Sequence, residues 1–242
     1  MTTPGPHEEE ELVRLDAIVD EVRRAPGVSL RLVARAPRSR NASSIVTVCG
    51  GSYNPFHLGH RELLRSVIEA VDGAETVAYV TLTHSLGKPL TGASYAERLY
   101  MLCLEQERLP FLNVGLVNDG YFRAFLSRLG DFYPGERRTF VGVMGADLFP
   151  RIMDERHASE FPLIFSIDWF VAERAGNTWV QTPIPEAAEP YRHRIKGLAL
   201  PQRAHDVSSS GLWPLLNARD PHALAYVAPD VLDFIARRGI VF

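Results

Sequence analysis

The run Gly50-Gly51-Ser52-Tyr53-Asn54-Pro55-Phe56-His57-Leu58-Gly59-His60 holds the residues best suited to chemistry. It follows the apolar stretch 44–49 and precedes Leu63, Leu64, Val67, Ile68 and Val71 at helical spacing, so it reads as strand, glycine turn, helix. Glycine tolerates close backbone approach and positive φ, which suits Gly50 and Gly51 to a turn against a ligand. A helix N-terminus offers unpaired N–H groups and partial positive charge, both favourable to an anion. His57 and His60, three apart, point the same way on the first helical turn, and imidazole donates hydrogen bonds to phosphate oxygens. Gly59 between them is expected to leave room for a phosphate or a base. Together these residues predict a phosphate cradle with two histidines at its mouth.

Alternating elements must position it. A helix is predicted over 8–24, with Leu12, Leu15, Ile18, Val19 and Val22 on one face, then a short strand over 28–34 and a polar linker over 36–43. Strands are expected at 44–49, 76–82, 112–117, 138–144, 168–172 and 195–200. Helices are expected at 57–71, 94–107, near 121–129, near 147–154, at 212–217 and at 229–238. The order βαβα predicts an α/β fold: a parallel sheet with helices on both faces and ligand crevices at the strand C-terminal ends. Residues 1–43 are expected to form a helical extension, packed on the sheet or at a subunit contact, and 44–242 the main domain. Ser94 with Glu97 three residues on forms a capping box.

A chain of 242 residues, 46% hydrophobic and 23% charged, can bury a substantial core. A net charge of −3 predicts no global attraction to nucleic acid. Cys49 and Cys103 are the only cysteines, which suggests neither a disulfide framework nor a zinc site and fits a cytoplasmic setting. The acidic N-terminus lacks the apolar core of a signal peptide, and no apolar run approaches membrane-spanning length, so no membrane association is expected.

The 50–60 run resembles the signature of the His-x-Gly-His nucleotidyltransferases, most closely the nicotinate/nicotinamide-mononucleotide adenylyltransferases. The resemblance extends over about residues 44–242 and implies a Rossmann-like nucleotidyltransferase fold. It implies transfer of AMP from ATP to a mononucleotide phosphate with release of pyrophosphate, Mg2+ accompanying ATP without a dedicated protein cage. His57 and His60 become the catalytic pair, donating to the α- and β-phosphates. Gly50, Gly51, Ser52 and Gly59 join them around ATP. His84 to Pro89 is similar to the family's phosphate-facing loop, with Lys88 as its lysine, and 94–101 to the helix that follows. Gly145-Ala146-Asp147 resembles the turn that approaches the ATP ribose. Ser208-Ser209-Ser210-Gly211 resembles the family's triphosphate-binding serine segment. Tyr53, Asn54, Arg98, Tyr121 and Arg174 are implied at the acceptor.

Two segments depart from the family. The serine segment should be followed by an arginine two positions after Gly211, where this chain has Trp213 and then Pro214. Indole cannot replace a guanidinium that grips phosphate bidentately, so Arg203 and Arg219 are the candidates to supply charge. Pro214 is expected to delay the helix start to Ser210 or beyond. Around Asn118-Asp119-Gly120-Tyr121 only the tyrosine matches the acceptor region. The expected ligands are ATP and a small phosphorylated acceptor. The alternatives are a cytidylyl- or other nucleotidyltransferase acting on another phosphorylated or phosphonylated molecule, and a non-catalytic nucleotide-binding homologue.

Overall fold

The computed structural model describes residues 5–37, 44–72, 74–83, 91–120, 125–173 and 179–242. Strands β2 (Ile45–Gly51), β3 (Glu75–Thr81), β4 (Leu112–Val117), β5 (Thr139–Gly145), β6 (Asp168–Ala172) and β7 (Ile195–Leu198) are all parallel. With β1 (Leu30–Ala34) the sheet runs β1-β4-β3-β2-β5-β6-β7. This is the doubly wound order, and it reverses between β2 and β5, so the chain leaves their C-terminal ends in opposite directions and opens a crevice there. The Gly50–His60 run leaves β2 at this point, and Gly145-Ala146-Asp147 leaves β5 beside it.

Strands β3 and β4 are almost wholly buried, as a sheet covered on both faces requires. On one face lie helices α1 (Pro6–Arg24), α2 (Leu58–Ala70), α3 (Tyr95–Leu104), α6 (Ser209–Asn217) and α7 (Pro229–Arg238), around a core that includes Leu15, Leu64, Leu99 and Phe234. On the other lie the short helices α4 (Phe149–Ile152) and α5 (Phe161–Ile164) and the turns at 129–132 and 186–194, around Phe132, Phe149, Phe161 and Trp169. Residue alternation along β2 sorts the faces: Val46 and Val48 point to the second core and Cys49 to the first.

The N-terminal segment packs on this frame. α1 has its apolar face on α3, and β1 pairs with β4 in antiparallel register, Leu30 opposite Val117. Asn118 pins the turn between α1 and β1. Its Oδ1 accepts the Ser29 N–H at 2.8 Å, and its Nδ2 donates to the carbonyls of Val22 and Gly27. Glu8 and Glu9 of α1 pair with Arg237 and Arg238 of α7. The last helix follows its punctuation: Pro229 opens it, and Gly239 closes it at φ 62. α6 departs from expectation. It starts at Ser209, and Pro214 falls inside it, where the missing N–H leaves the Ser210 carbonyl without its usual partner.

Candidate active site

The turn after β2 is built differently from the glycine rule. Neither Gly50 nor Gly51 takes positive φ; that conformation falls on Tyr53, at φ 43. The glycines instead make room. A Cβ on Gly50 would lie 2.6 Å from the Tyr79 hydroxyl oxygen, and one on Gly51 2.8 Å from the Tyr53 ring. Tyr53 is held in its uncommon backbone state by a buried hydroxyl that donates to the Cys49 carbonyl at 2.7 Å. The Asn54–Pro55 peptide is cis.

His57 is the N-cap of α2. Its Nδ1 accepts the Gly59 N–H at 3.1 Å, and the His60 Nδ1 accepts the His57 N–H at 3.3 Å. This reciprocal cap does with two imidazoles what a capping box does with Ser and Glu. It requires neutral rings, because imidazolium has no acceptor nitrogen, and it assigns the ring proton to Nε2 in both. The rings stack with centroids 3.8 Å apart and planes 25° apart. His57 is buried; His60 is half-buried, with its ring against Tyr53 and Phe56. Gly59 does not leave space for a ligand as expected. A Cβ there would meet the His57 ring at 3.1 Å and the Val207 carbonyl at 3.3 Å, so the glycine lets α2 press against the segment that opens α6.

That contact brings the serine segment to the histidines. Ser208 caps α6, its Oγ accepting the Gly211 N–H at 3.1 Å. Ser209 Oγ donates to the Pro55 carbonyl at 3.2 Å, and Trp213 Nε1 donates to the Asn54 carbonyl at 3.0 Å. Ser52, Ser208 and Ser210 are exposed. Asp147 is exposed after β5, its carboxylate folded over Gly145, where a side chain would collide with it. The structure thus joins two imidazoles to the N-terminus of α6 beside the sheet's switch point, an arrangement suited to a polyphosphate.

Three residues expected at the acceptor make structural contacts. Tyr53 is buried with its hydroxyl committed. Asn54 is buried, its Nδ2 donating to the Thr91 carbonyl at 2.6 Å and its Oδ1 accepting the Ala93 N–H at 3.1 Å. Arg98 is 2% exposed; it donates to the carbonyls of Ala93 and Thr91 and lies over the Tyr95 ring. Burial lowers its pKa, yet arginine stays charged at any physiological pH. Lys88, Tyr121 and Arg174 lie outside the described residues. The two arginines proposed to replace the missing phosphate grip lie on either side of α6 in the chain. Arg203 pairs with Glu62 at 3.1 Å, and Arg219 follows the opposite end of the helix.

Cys49, one residue before the glycine turn, is not a nucleophile in waiting. Burial pushes its thiol up to about 11, so it stays protonated near neutral pH, and only the thiolate reacts. Native protein treated with iodoacetamide at pH 8 is expected to leave Cys49 unmodified until denaturant is added. Peptide mass mapping that found Cys49 alkylated in the folded protein would contradict its burial.

Residues 48–115 match the model of a cytidylyltransferase-like family. The fold is shared with a Plasmodium falciparum nicotinic acid mononucleotide adenylyltransferase. Its structure complexed with NaAD superimposes with a TM-score of 0.59 at 17% identity, and that complexed with APC with a TM-score of 0.57 at 18% identity. In both, the likeness covers 81% of this chain and 96% of the other. No curated protein matches the chain significantly. The matched segment carries the glycine turn and both histidines, and the fold is that of the Rossmann-like nucleotidyltransferases. Among the described residues, no helix is long and apolar enough to cross a membrane.

Proposed function

We propose that the chain transfers AMP from ATP to the phosphate of nicotinate or nicotinamide mononucleotide, forming a dinucleotide and pyrophosphate. The observation that carries this is the junction of the stacked His57–His60 pair with the mouth of α6, sewn together by Ser209 and Pro55. The structural neighbour is a nicotinic acid mononucleotide adenylyltransferase, solved with NaAD, and its likeness supports the choice of acceptor.

The acceptor phosphate already bears a nucleophilic oxygen. That oxygen attacks the ATP α-phosphorus, a new P–O bond forms, and the bond to the β-phosphate oxygen breaks with its electrons leaving on pyrophosphate. No covalent enzyme intermediate is needed. The protein aligns the two phosphates and stabilises charge as it develops. The Nε2–H groups of His57 and His60 donate to α- and β-phosphate oxygens. The α6 N-terminus, with Ser208 and Ser210, binds the outer phosphates, and Gly50, Gly51 and Ser52 flank them; Lys88 is added to this set by the family resemblance alone. Asp147 accepts from the ribose hydroxyls. Mg2+ is expected with ATP. Its role would be to offset triphosphate charge without a dedicated protein cage. The two free thiols are consistent with a reducing, cytoplasmic setting.

A second reading, a cytidylyltransferase acting on another phosphorylated or phosphonylated small molecule, is favoured by one observation: Tyr53, Asn54 and Arg98 spend polar groups on backbone partners, which leaves them less free to hold a pyridine mononucleotide. The test is incubation with each nucleoside triphosphate against a panel of acceptors, following pyrophosphate. Release only with ATP and a pyridine mononucleotide supports the first reading; release with CTP and another acceptor supports the second. Tight nucleotide binding with no release under any pairing would overturn both in favour of a non-catalytic nucleotide-binding role.

A further inference from the structure

Trp213 occupies the place where a phosphate-gripping arginine was expected, and the structure gives its indole a different task. Its Nε1–H donates to the Asn54 carbonyl at 3.0 Å, and its half-buried ring stacks on Phe242, with centroids 6.3 Å apart and planes 20° apart. Phe242 is fixed in turn: Asn217 accepts its N–H at 3.0 Å and donates to its carbonyl at 2.8 Å. The Phe242 ring also lies so close to Gly92 that a Cβ there would come within 2.6 Å of it. The indole is therefore clamped before it reaches the catalytic loop.

Asn54 is the hub it reaches. The Asn54 side chain holds the segment before α3 through Thr91 and Ala93, and its carbonyl takes the indole. The next carbonyl, Pro55, takes the Ser209 hydroxyl. Ser209 and Trp213 are four residues apart on α6, so they share one face about 6 Å apart along the axis. A loop tied to a helix by one hydrogen bond can pivot about it. Two bonds from successive turns to successive carbonyls fix its direction, and His57 begins two residues later.

We propose that Trp213 is a positioning residue for nucleotidyl transfer, its indole N–H orienting the 54–57 loop so that His57 and His60 face the same polyphosphate as the mouth of α6. The proposal rests on the nucleotidyl-transfer reading and assigns this chain's own substitute for the missing arginine: orientation of the histidines in place of a direct charge contact.

The test is Trp213→Phe, which keeps an aromatic ring on Phe242 and removes the N–H. Loss of an interaction that acts only on alignment should lower kcat about tenfold while KM for ATP moves less than about threefold. The melting temperature should stay within about 4 °C of wild type, the shift expected from one hydrogen bond in a chain of this size. Amide hydrogen exchange should accelerate in peptides covering 54–60 and not in α7. Unchanged kcat would overturn the proposal. So would a KM rise equal to the kcat loss, which marks a ligand contact, or faster exchange throughout the chain, which marks general destabilisation. If the wild-type protein releases no pyrophosphate with any pairing, the reaction assignment fails separately. The exchange measurement then decides alone, with acceleration confined to 54–60 supporting the orienting role and unaltered exchange there ending it.

Discussion

His60→Ala is expected to lower kcat for pyrophosphate release by about a hundred- to a thousandfold, the usual effect of removing one donor aimed at charge that develops in the transition state. The fold should survive. His60 is half-buried on the first turn of α2, where it caps the His57 N–H and rests its ring on His57, Tyr53 and Phe56. Losing a cap costs about 1 kcal/mol, or roughly 2–4 °C in melting temperature for a chain this long. His57→Ala is the less discriminating variant, since His57 is buried and caps α2 with its own ring. Steady-state kinetics with the active nucleotide and acceptor, alongside a melting curve, separate the two effects. Turnover near wild type in folded His60→Ala would remove the histidine pair from the chemistry and leave the stacked rings as a helix cap only.

What could be read from the chain and what could not divides on a physical line. Periodicity placed the strands and long helices, because period is a property of consecutive residues. The helix expected at 229–238 matches α7 for the same reason. The site's location followed from topology: βα alternation implies a switch point, and the glycine turn had to stand at a strand end. The work of individual side chains was another matter. Arg98 carries a charge and sits on a helix, so its burial on the carbonyls of Thr91 and Ala93 has no local signal. Tyr53 was assigned to ligand by the family resemblance, and Gly59 by its lack of a side chain; neither signal reports what packs on them in the fold. The occupants are the Cys49 carbonyl and the segment at Val207, the latter distant in the chain. The imidazole cap went unrecognised because the familiar pattern uses Ser or Thr with Glu. The partner of Trp213 lies 159 residues away.

Arg61→Ala, one residue beyond the histidine pair, is expected to cost about 3–5 kcal/mol of stability. Arg61 grips Glu105 with both arms, Nε to Oε2 at 2.9 Å and Nη2 to Oε1 at 2.7 Å. The Glu105 side chain is fully buried and that of Arg61 only 13% exposed. Their attraction in a poorly solvated place is offset by the cost of taking both charges out of water, so the pair contributes little net stability. Removing one partner is what costs, since the other stays buried without its counter-charge. Arg61→Lys should fall between, because an ammonium cannot match the two-pronged geometry. Replacing both residues with methionine should recover most of the loss, as apolar groups of similar volume need no counter-charge. Urea denaturation reads all three, as a fall in midpoint with an unchanged slope. A loss below about 1 kcal/mol for Arg61→Ala would mean that water reaches Glu105 freely and that the pair behaves as a surface one. The pair also ties the first turn of α2 to the end of α3. The double variant therefore asks whether His60 needs the ion pair itself or only a filled contact beneath it: turnover restored along with stability means packing suffices to hold the histidines, whereas stability without turnover means that the two-pronged grip sets their angle.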